Sequence, residues 1–483
     1  MTSDDLCFTS AVDIAAMVRK RTISPMEVVE AFLTRIEAIN PQLNAYVTVT
    51  PELARAAAKR AEVVVMAGAA LGPLHGVPFS VKDLVFTAGV RTTAGSQVFR
   101  DFIPEVDAIV VARLKAAGAI LLGKTNTPEF GFKGTTENLL FGETHNPWAL
   151  DKTPGGSSGG AGAATAAGMS PLSIGTDGGG SIRIPASFSG IYGFKPTFGR
   201  VPSGPGFGGS SSISHLGPMT RTVTDAALMM DVIALPDECD RFSLPAELQL
   251  FSHTVQSHPR RLRLGWSRDL GYAAVDPQVV QLTEQALTAF HQIGWEVEET
   301  SPGFADPCEI FNVIIRAENY VVAKELLATH AELLDPGMRS FTQAGAAITA
   351  FDYLRANQER ARLSTQLARF FEHYDLLVTP TLAVLPFTIN TRPERIAGRE
   401  IHSISWLAFT YLFNLTGHPA ASVPCGWTMD GLPVGLQIVG RRFADALVLQ
   451  ASAAFEQVRP WTHRRPPHVR ATEQEKEDLL SRS

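Results

Sequence analysis

Apolar residues recur at helical spacing through Val28, Val29, Phe32, Leu33, Ile36 and Ile39. Ser24, Pro25 and Glu27 stand before them as an N-cap, a proline at the first helical position and an acid at N3, so the run predicts an amphipathic helix closed by Asn40-Pro41. Further along, strand-like apolar runs alternate with helical patterns: 119–122 follows a helix over 106–117, 172–174 follows an Ala/Gly-rich helix, and 261–266 precedes a helix over 276–293. Alternation of this kind implies a largely parallel sheet under a cover of helices. Residues 420–427 and 433–439 flank Met429-Asp430-Gly431, a short Asp-Gly turn that signals a hairpin and makes the sheet mixed. No internal repeat and no long polar linker divides the pattern. The expected architecture is α/β: a single large domain over residues 1–470, its central mixed, mostly parallel twisted sheet covered by helices on both faces, then a charged, frayed tail over 471–483.

Composition narrows what such a domain does. With 45% hydrophobic and 19% charged residues, the 483-residue chain has material for a large core and too little charge for disorder. Basic residues number 42 against 48 acidic, a net −6 with no basic block, which argues against a nucleic-acid surface. Cys7, Cys239, Cys308 and Cys425 lie far apart without a CxxC pair, so neither a disulfide framework nor a cysteine zinc site is expected, and free buried thiols in a reducing compartment are. The first residues run into a helical pattern without the features of a secretory signal. The most apolar window, 403–417, is shorter than the ~20 residues that span a bilayer and holds Asn414; it reads as a buried helix, and the protein as cytoplasmic with no membrane partner.

Three stretches match motifs literally. Residues 118–125 satisfy GxxxxGK[ST], but the variable positions Ala119, Ile120, Leu121 and Leu122 are themselves the expected strand, where a phosphate loop would bend round its anion. Residues 204–209 satisfy GxGxxG with Pro205 inside and no strand before them, which reads as a loop. Residues 155–159 satisfy GxSxG, the nucleophile elbow, and a helix-forming run follows; the preceding Asp151-Lys152-Thr153-Pro154 is a poor strand for an elbow.

The densest chemistry lies in Thr153-Pro-Gly-Gly-Ser157-Ser158-Gly-Gly and Gly175-Thr-Asp177-Gly178-Gly179-Gly180-Ser181-Ile-Arg183. Consecutive glycines let backbone N–H groups converge on one point, and a serine ending the run sits beside donors able to hold an oxyanion. A serine needs a base; Lys152 lies in a polar loop, whereas Lys82 ends the apolar run of His75-Gly-Val-Pro-Phe-Ser-Val-Lys82-Asp83, where burial lowers a lysine pKa toward the ~7 to 8 of a general base.

Those motifs, with Leu-Leu-Gly-Lys-Thr-Asn over 121–126, Gly193-Phe-Lys-Pro-Thr197 and Leu412-Phe-Asn-Leu-Thr-Gly-His-Pro419, resemble the amidase signature family over nearly the whole chain. The resemblance implies that family's fold and a triad of Ser181 as nucleophile, Ser157 as proton shuttle after a cis peptide bond, and Lys82 as base. It further implies N–H groups of Gly178, Gly179, Gly180 and Ser181 as the oxyanion hole, and no metal or organic cofactor. Ser158 is expected to bond Lys82 or cap the following helix; Asp177 and Arg183 to hold the glycine loop; Thr176 and His75 to be scaffold. Gly178 departs from the family, which often has threonine or a larger apolar residue there.

Within the family the expected reading is a free-standing amide hydrolase acting on a small-molecule amide and water, as a monomer or homodimer without nucleic acid. The alternative is the glutaminase A subunit of a tRNA-dependent amidotransferase. That subunit carries an Arg-rich segment for the glutamine carboxylate, and 335–353 offers only Arg339, while Arg355, Arg360, Arg362 and Arg369 read as a solvated helix face. The apolar segments 130–141, 207–213, 311–320 and 341–353 are expected to wall the pocket and to favour aryl or alkyl amides; esters and carbamates present the same carbonyl.

Overall fold

The computed structural model describes residues 2–207, 212–257, 259 and 261–467. The charged tail over 471–483 and Gly208 and Gly209 of the GxGxxG match therefore lie outside the described residues.

Eleven strands form the main sheet: β1 (Tyr46–Val49), β2 (Pro78–Lys82), β3 (Ile120–Thr125), β4 (Leu172–Asp177), β5 (Tyr192–Lys195), β6 (His215–Thr220), β7 (Arg263–Trp266), β8 (Glu296–Glu299), β9 (Leu376–Pro380), β10 (Ala420–Trp427) and β11 (Pro433–Gly440). Their order across the sheet is β1-β3-β2-β4-β6-β5-β10-β11-β9-β7-β8. The sheet is mixed, as its hairpin signal requires, but the balance differs from the expectation. Only β3/β2, β2/β4, β9/β7 and β7/β8 pair in parallel, and the remaining six neighbours are antiparallel. Helical crossovers build the two parallel flanks, while β5, β6 and the β10/β11 hairpin fill the centre antiparallel, a direction that periodicity does not encode.

Both sheet faces are covered. Along β9, Leu376 and Val378 join one core cluster and Leu377 the other; along β11, Leu436 and Ile438 join the first and Val439 the second. The helices Val223–Ile233 and Asp445–Val458 fill the first cluster, and Arg183–Ser189, Cys308–Thr329 and Ala350–Phe370 the second. Among the described residues no helix is long and apolar enough to cross a membrane.

Local signals hold with shifted ends. Ser24 caps the helix Pro25–Leu43 by a full capping box, yet the helix continues through Pro41 and closes at Asn44, whose left-handed backbone (φ 48°) brings its N–H to the Asn40 carbonyl at 2.8 Å. The helix expected over 276–293 divides at Leu287 into Pro277–Ala286 and Thr288–Ile293. The buried helix expected over 403–417 is a 3₁₀ turn, Ser405–Leu407, and a short helix, Tyr411–Leu415. Tertiary bonds interrupt it: Thr410 donates to the Gly179 carbonyl at 2.7 Å, and the Phe409 carbonyl accepts from Gln437 at 2.9 Å. Residues 120–125 are strand β3, not a phosphate loop, and residues 151–154, immediately before Gly155, form no strand. Three of the cysteines are buried, and Cys239 is exposed.

Candidate active site

Strand β2 is buried along its whole length, so its last side chain, Lys82, ends inside the protein with no exposed surface. Lys82 Nζ donates to Ser157 Oγ at 2.6 Å and to Thr176 Oγ1 at 2.8 Å. Burial pushes its pKa well below the ordinary lysine value, and the charge of Asp177 opposes the shift only in part. Thr176, expected as scaffold, is thus a direct partner of the amine; the parallel pairing of β2 with β4, which brings it there, has no signature in the spacing of the two segments.

Ser157 follows a cis peptide bond from Gly156, in the turn before the helix Gly159–Ala166. Ser158 does neither of the two things expected of it. Its hydroxyl donates to the Thr176 carbonyl at 3.1 Å and accepts from the Thr176 N–H at 3.3 Å, so although Ser158 is the N-cap residue its side chain is bound to β4 and makes no cap bond.

Ser181 ends the loop between β4 and the helix Arg183–Ser189 and opens onto the same cavity as Ser157. Its carbonyl accepts from the Ser158 N–H at 3.2 Å, and its hydroxyl has no hydrogen-bond partner among the described residues. The N–H groups of Gly178, Gly179 and Ser181 are likewise without an acceptor among the described residues. Gly180 is different: its N–H donates to Asp177 Oδ1 at 2.7 Å, so it is committed to holding the loop and leaves the set of oxyanion donors.

Asp177 and Arg183 form the loop's fully buried clamp. Arg183 meets Asp177 through two bonds of 3.0 Å and reaches Gln437 Oε1 on β11 at 2.8 Å and Asn414 Oδ1 at 2.7 Å. Asn414 in turn donates to Asp177 Oδ1 at 2.8 Å. Burial raises the Asp177 pKa, but the Arg183 charge and hydrogen bonds, with Lys195 and Asn414, outweigh it and hold the carboxyl well below the usual carboxylate range. His75 lies elsewhere, its ring against the Ala61 carbonyl at 3.0 Å.

The cavity over the serines has a volume of about 920 Å³. Phe130, Phe132, Phe207, Phe311, Phe341 and Trp406 give it an aromatic wall. Phe207 lines it as expected; of 311–320 only Phe311, Asn312, Ile315, Arg316 and Asn319 do, so that wall is partly polar, whereas 208–211 lie outside the described residues and Tyr353 instead donates to Glu318 at 2.8 Å. Two arginines that the reading of 335–353 did not consider, Arg316 and Arg392, also line it. Arg360, expected on a solvated face, is half-buried and donates to the Ser212 carbonyl at 2.8 Å. Among the described residues no three of His, Cys, Asp and Glu gather to hold a metal ion. A buried, readily neutral amine joined to one hydroxyl, with a second hydroxyl beside free N–H donors, is an arrangement for nucleophilic acyl transfer.

The sequence profile of the Amidase family matches residues 27–449. An acylamidase of Rhodococcus erythropolis is 40% identical over 471 residues, 96% of this chain and 98% of the relative. The A-type subunit of the glutamyl-tRNA(Gln) amidotransferase of Moorella thermoacetica is 36% identical over 487 residues, 96% of this chain and 99% of the relative. The crystal structure of a bacterial aryl acylamidase of the amidase signature enzymes superposes with a TM-score of 0.88 at 35% identity, over 94% of this chain and 97% of that one. The order of the motifs, the geometry around Lys82 and these likenesses have one reading: the chain belongs to the amidase family and is an amide-hydrolysing enzyme.

Proposed function

We propose that this enzyme hydrolyses aryl and alkyl acyl amides through an acyl-enzyme on Ser181. The observation that carries the reading is the 2.6 Å bond from buried Lys82 to Ser157, with Ser181 on the same cavity. Neutral Lys82 takes the Ser157 proton while Ser157 takes that of Ser181, and Ser181 Oγ bonds to the carbonyl carbon. The N–H groups of Gly178, Gly179 and Ser181 hold the oxyanion. As the C–N bond breaks, Ser157 gives its proton to the leaving nitrogen and recovers one from Lys82. Water then attacks the ester by the same relay, releasing the acid and freeing Ser181. Thr176 holds the lysine amine in line, and Asp177, Arg183 and Ser158 hold the loop.

The aromatic wall suits hydrophobic acyl groups, and esters and carbamates offer the same carbonyl to the same nucleophile. The chain acts alone or as a homodimer, without nucleic acid or cofactor. Release of 4-nitroaniline from a hydrophobic anilide by the purified chain tests this. Ser181→Ala and Lys82→Ala are each expected to cut kcat by about a thousandfold or more. Because the amine must be neutral, activity is expected to fall as pH drops and Lys82 takes up a proton. Glutaminase activity appearing only with added partner subunits would move the assignment to the amidotransferase; anilide turnover that survives Ser181→Ala would remove Ser181 as nucleophile.

A further inference from the structure

The helix Cys308–Thr329 presents Phe311, Asn312, Ile315, Arg316 and Asn319 to the cavity, a stripe at the helical repeat. Its near end abuts the candidate oxyanion loop, since a Cβ on Gly179 would lie 2.7 Å from the Phe311 ring. Arg316 stands five residues further along, about 7.5 Å down the axis.

Arg316 is the unusual member of the stripe. Its guanidinium lies over the Phe341 ring, 6.0 Å from the centroid, and its Nε is buried with no hydrogen-bond partner among the described residues. No carboxylate among the described residues pairs with it. The acids that line the cavity are engaged elsewhere: Glu137 with Lys133 at 2.6 Å, Glu143 with Asn390 at 2.7 Å, and Asp335 with the N–H groups of the helix Pro336–Gly345. A planar guanidinium facing a cavity without its own anion matches a carboxylate in shape and charge.

We propose that Arg316 is a specificity residue that receives a carboxylate of the substrate, so that the preferred amides are anionic, with a spacer between that carboxylate and the scissile carbonyl. This rests on the proposed hydrolysis at Ser181 for the location of that carbonyl. The aromatic wall then packs the spacer between the two ends of the substrate.

The test compares adipic acid mono-4-nitroanilide with hexanoic acid 4-nitroanilide, which has the same carbon count and no charge. The parent is expected to favour the anionic substrate, and the ratio of the two kcat/KM values to fall about 10- to 100-fold in Arg316→Met. Arg316→Lys is expected to keep part of the ratio. A second measurement does not depend on catalysis: calorimetric binding of 6-oxo-6-phenylhexanoate against hexanophenone, ketones with no bond to cleave, to parent and Arg316→Met. N-Acetyl-5-aminopentanoate against N-pentylacetamide, bound to the Ser181→Ala protein, tells whether the carboxylate sits on the leaving side instead. No anionic preference in any pair, a ratio unchanged by Arg316→Met, or a preference lost only in Arg392→Met would overturn the proposal. Turnover surviving Ser181→Ala with the ketone preference intact would overturn the nucleophile and leave Arg316 standing.

Discussion

At the scale of single residues, the active-site loop is built by positions where the wrong atom has no room. Gly180 has a backbone φ of 128°, and a Cβ there would lie 2.5 Å from Thr410 Oγ1. Gly180→Ala is therefore expected to destabilise the protein by about 1–3 kcal/mol and to lower kcat more than it raises KM, checked by thermal melting and steady-state kinetics. Gly178 is unlike its neighbours: a Cβ there meets nothing within 4 Å. The glycine that departs from the family's habit thus adds open space at the cavity rather than relieving a clash. The serines, the lysine and the Asp177-Arg183 pair stand out in the sequence because their motifs are contiguous, and the structure sets Lys82 against Ser157 and Asp177 against Arg183. Thr176 and Gly180 were misjudged because their duties depend on which hydrogen bond each makes, and spacing carries no such information.

At the scale of elements, what holds the loop is a side-chain junction between β4, the helix Arg183–Ser189, the short helix Tyr411–Leu415 and β11. Arg183→Met would leave Asp177 as an uncompensated buried charge, at a cost of about 3–5 kcal/mol. The expected result is a large drop in melting temperature with loss of activity; a protein that melts like the parent and still turns over substrate would show that the loop needs no clamp. Helix Pro25–Leu43, strand β3 and the β10/β11 hairpin follow from their local patterns, since capping and turn residues act within a few positions of themselves. The broken run over 403–417 could not be read that way: Thr410 and Phe409 give their groups to Gly179 and Gln437, far away in sequence. Arg316 escaped notice for a related reason, for a helix shows its cavity-facing stripe only after its packing is known.

At the scale of the molecule, distant segments are tied through buried polar groups that carry a pH dependence. Asp225, almost fully buried in the helix Val223–Ile233, accepts from the Val12 N–H at 3.0 Å and so joins the helix Ala11–Arg19 to the core. Burial raises its carboxyl to about 6, against hydrogen bonds from that N–H and others. Its raised folded pKa contributes stability that is complete below the unfolded value and is lost as pH rises toward and through about 6. The penalty above that range is on the order of 3 kcal/mol. Asp225→Asn is expected to match the parent's melting temperature near pH 3.5 and to exceed it by a few degrees at pH 7.5. A difference that does not change with pH would show that the carboxyl ionises as freely inside as out.

The strand order has a consequence in time. Strands β1 to β6 form one block of the sheet and β7 to β9 another, and no pairing joins the blocks directly; the β10/β11 hairpin, made last, lies between them. The same hairpin carries Gln437, the far anchor of Arg183. On the ribosome the two blocks therefore lack their shared neighbour, and Arg183 its far anchor, until residues 420–440 have emerged. A nascent or truncated chain ending before residue 420 holds Lys82, Ser157 and Ser181 and lacks the hairpin that joins the two blocks and anchors Arg183.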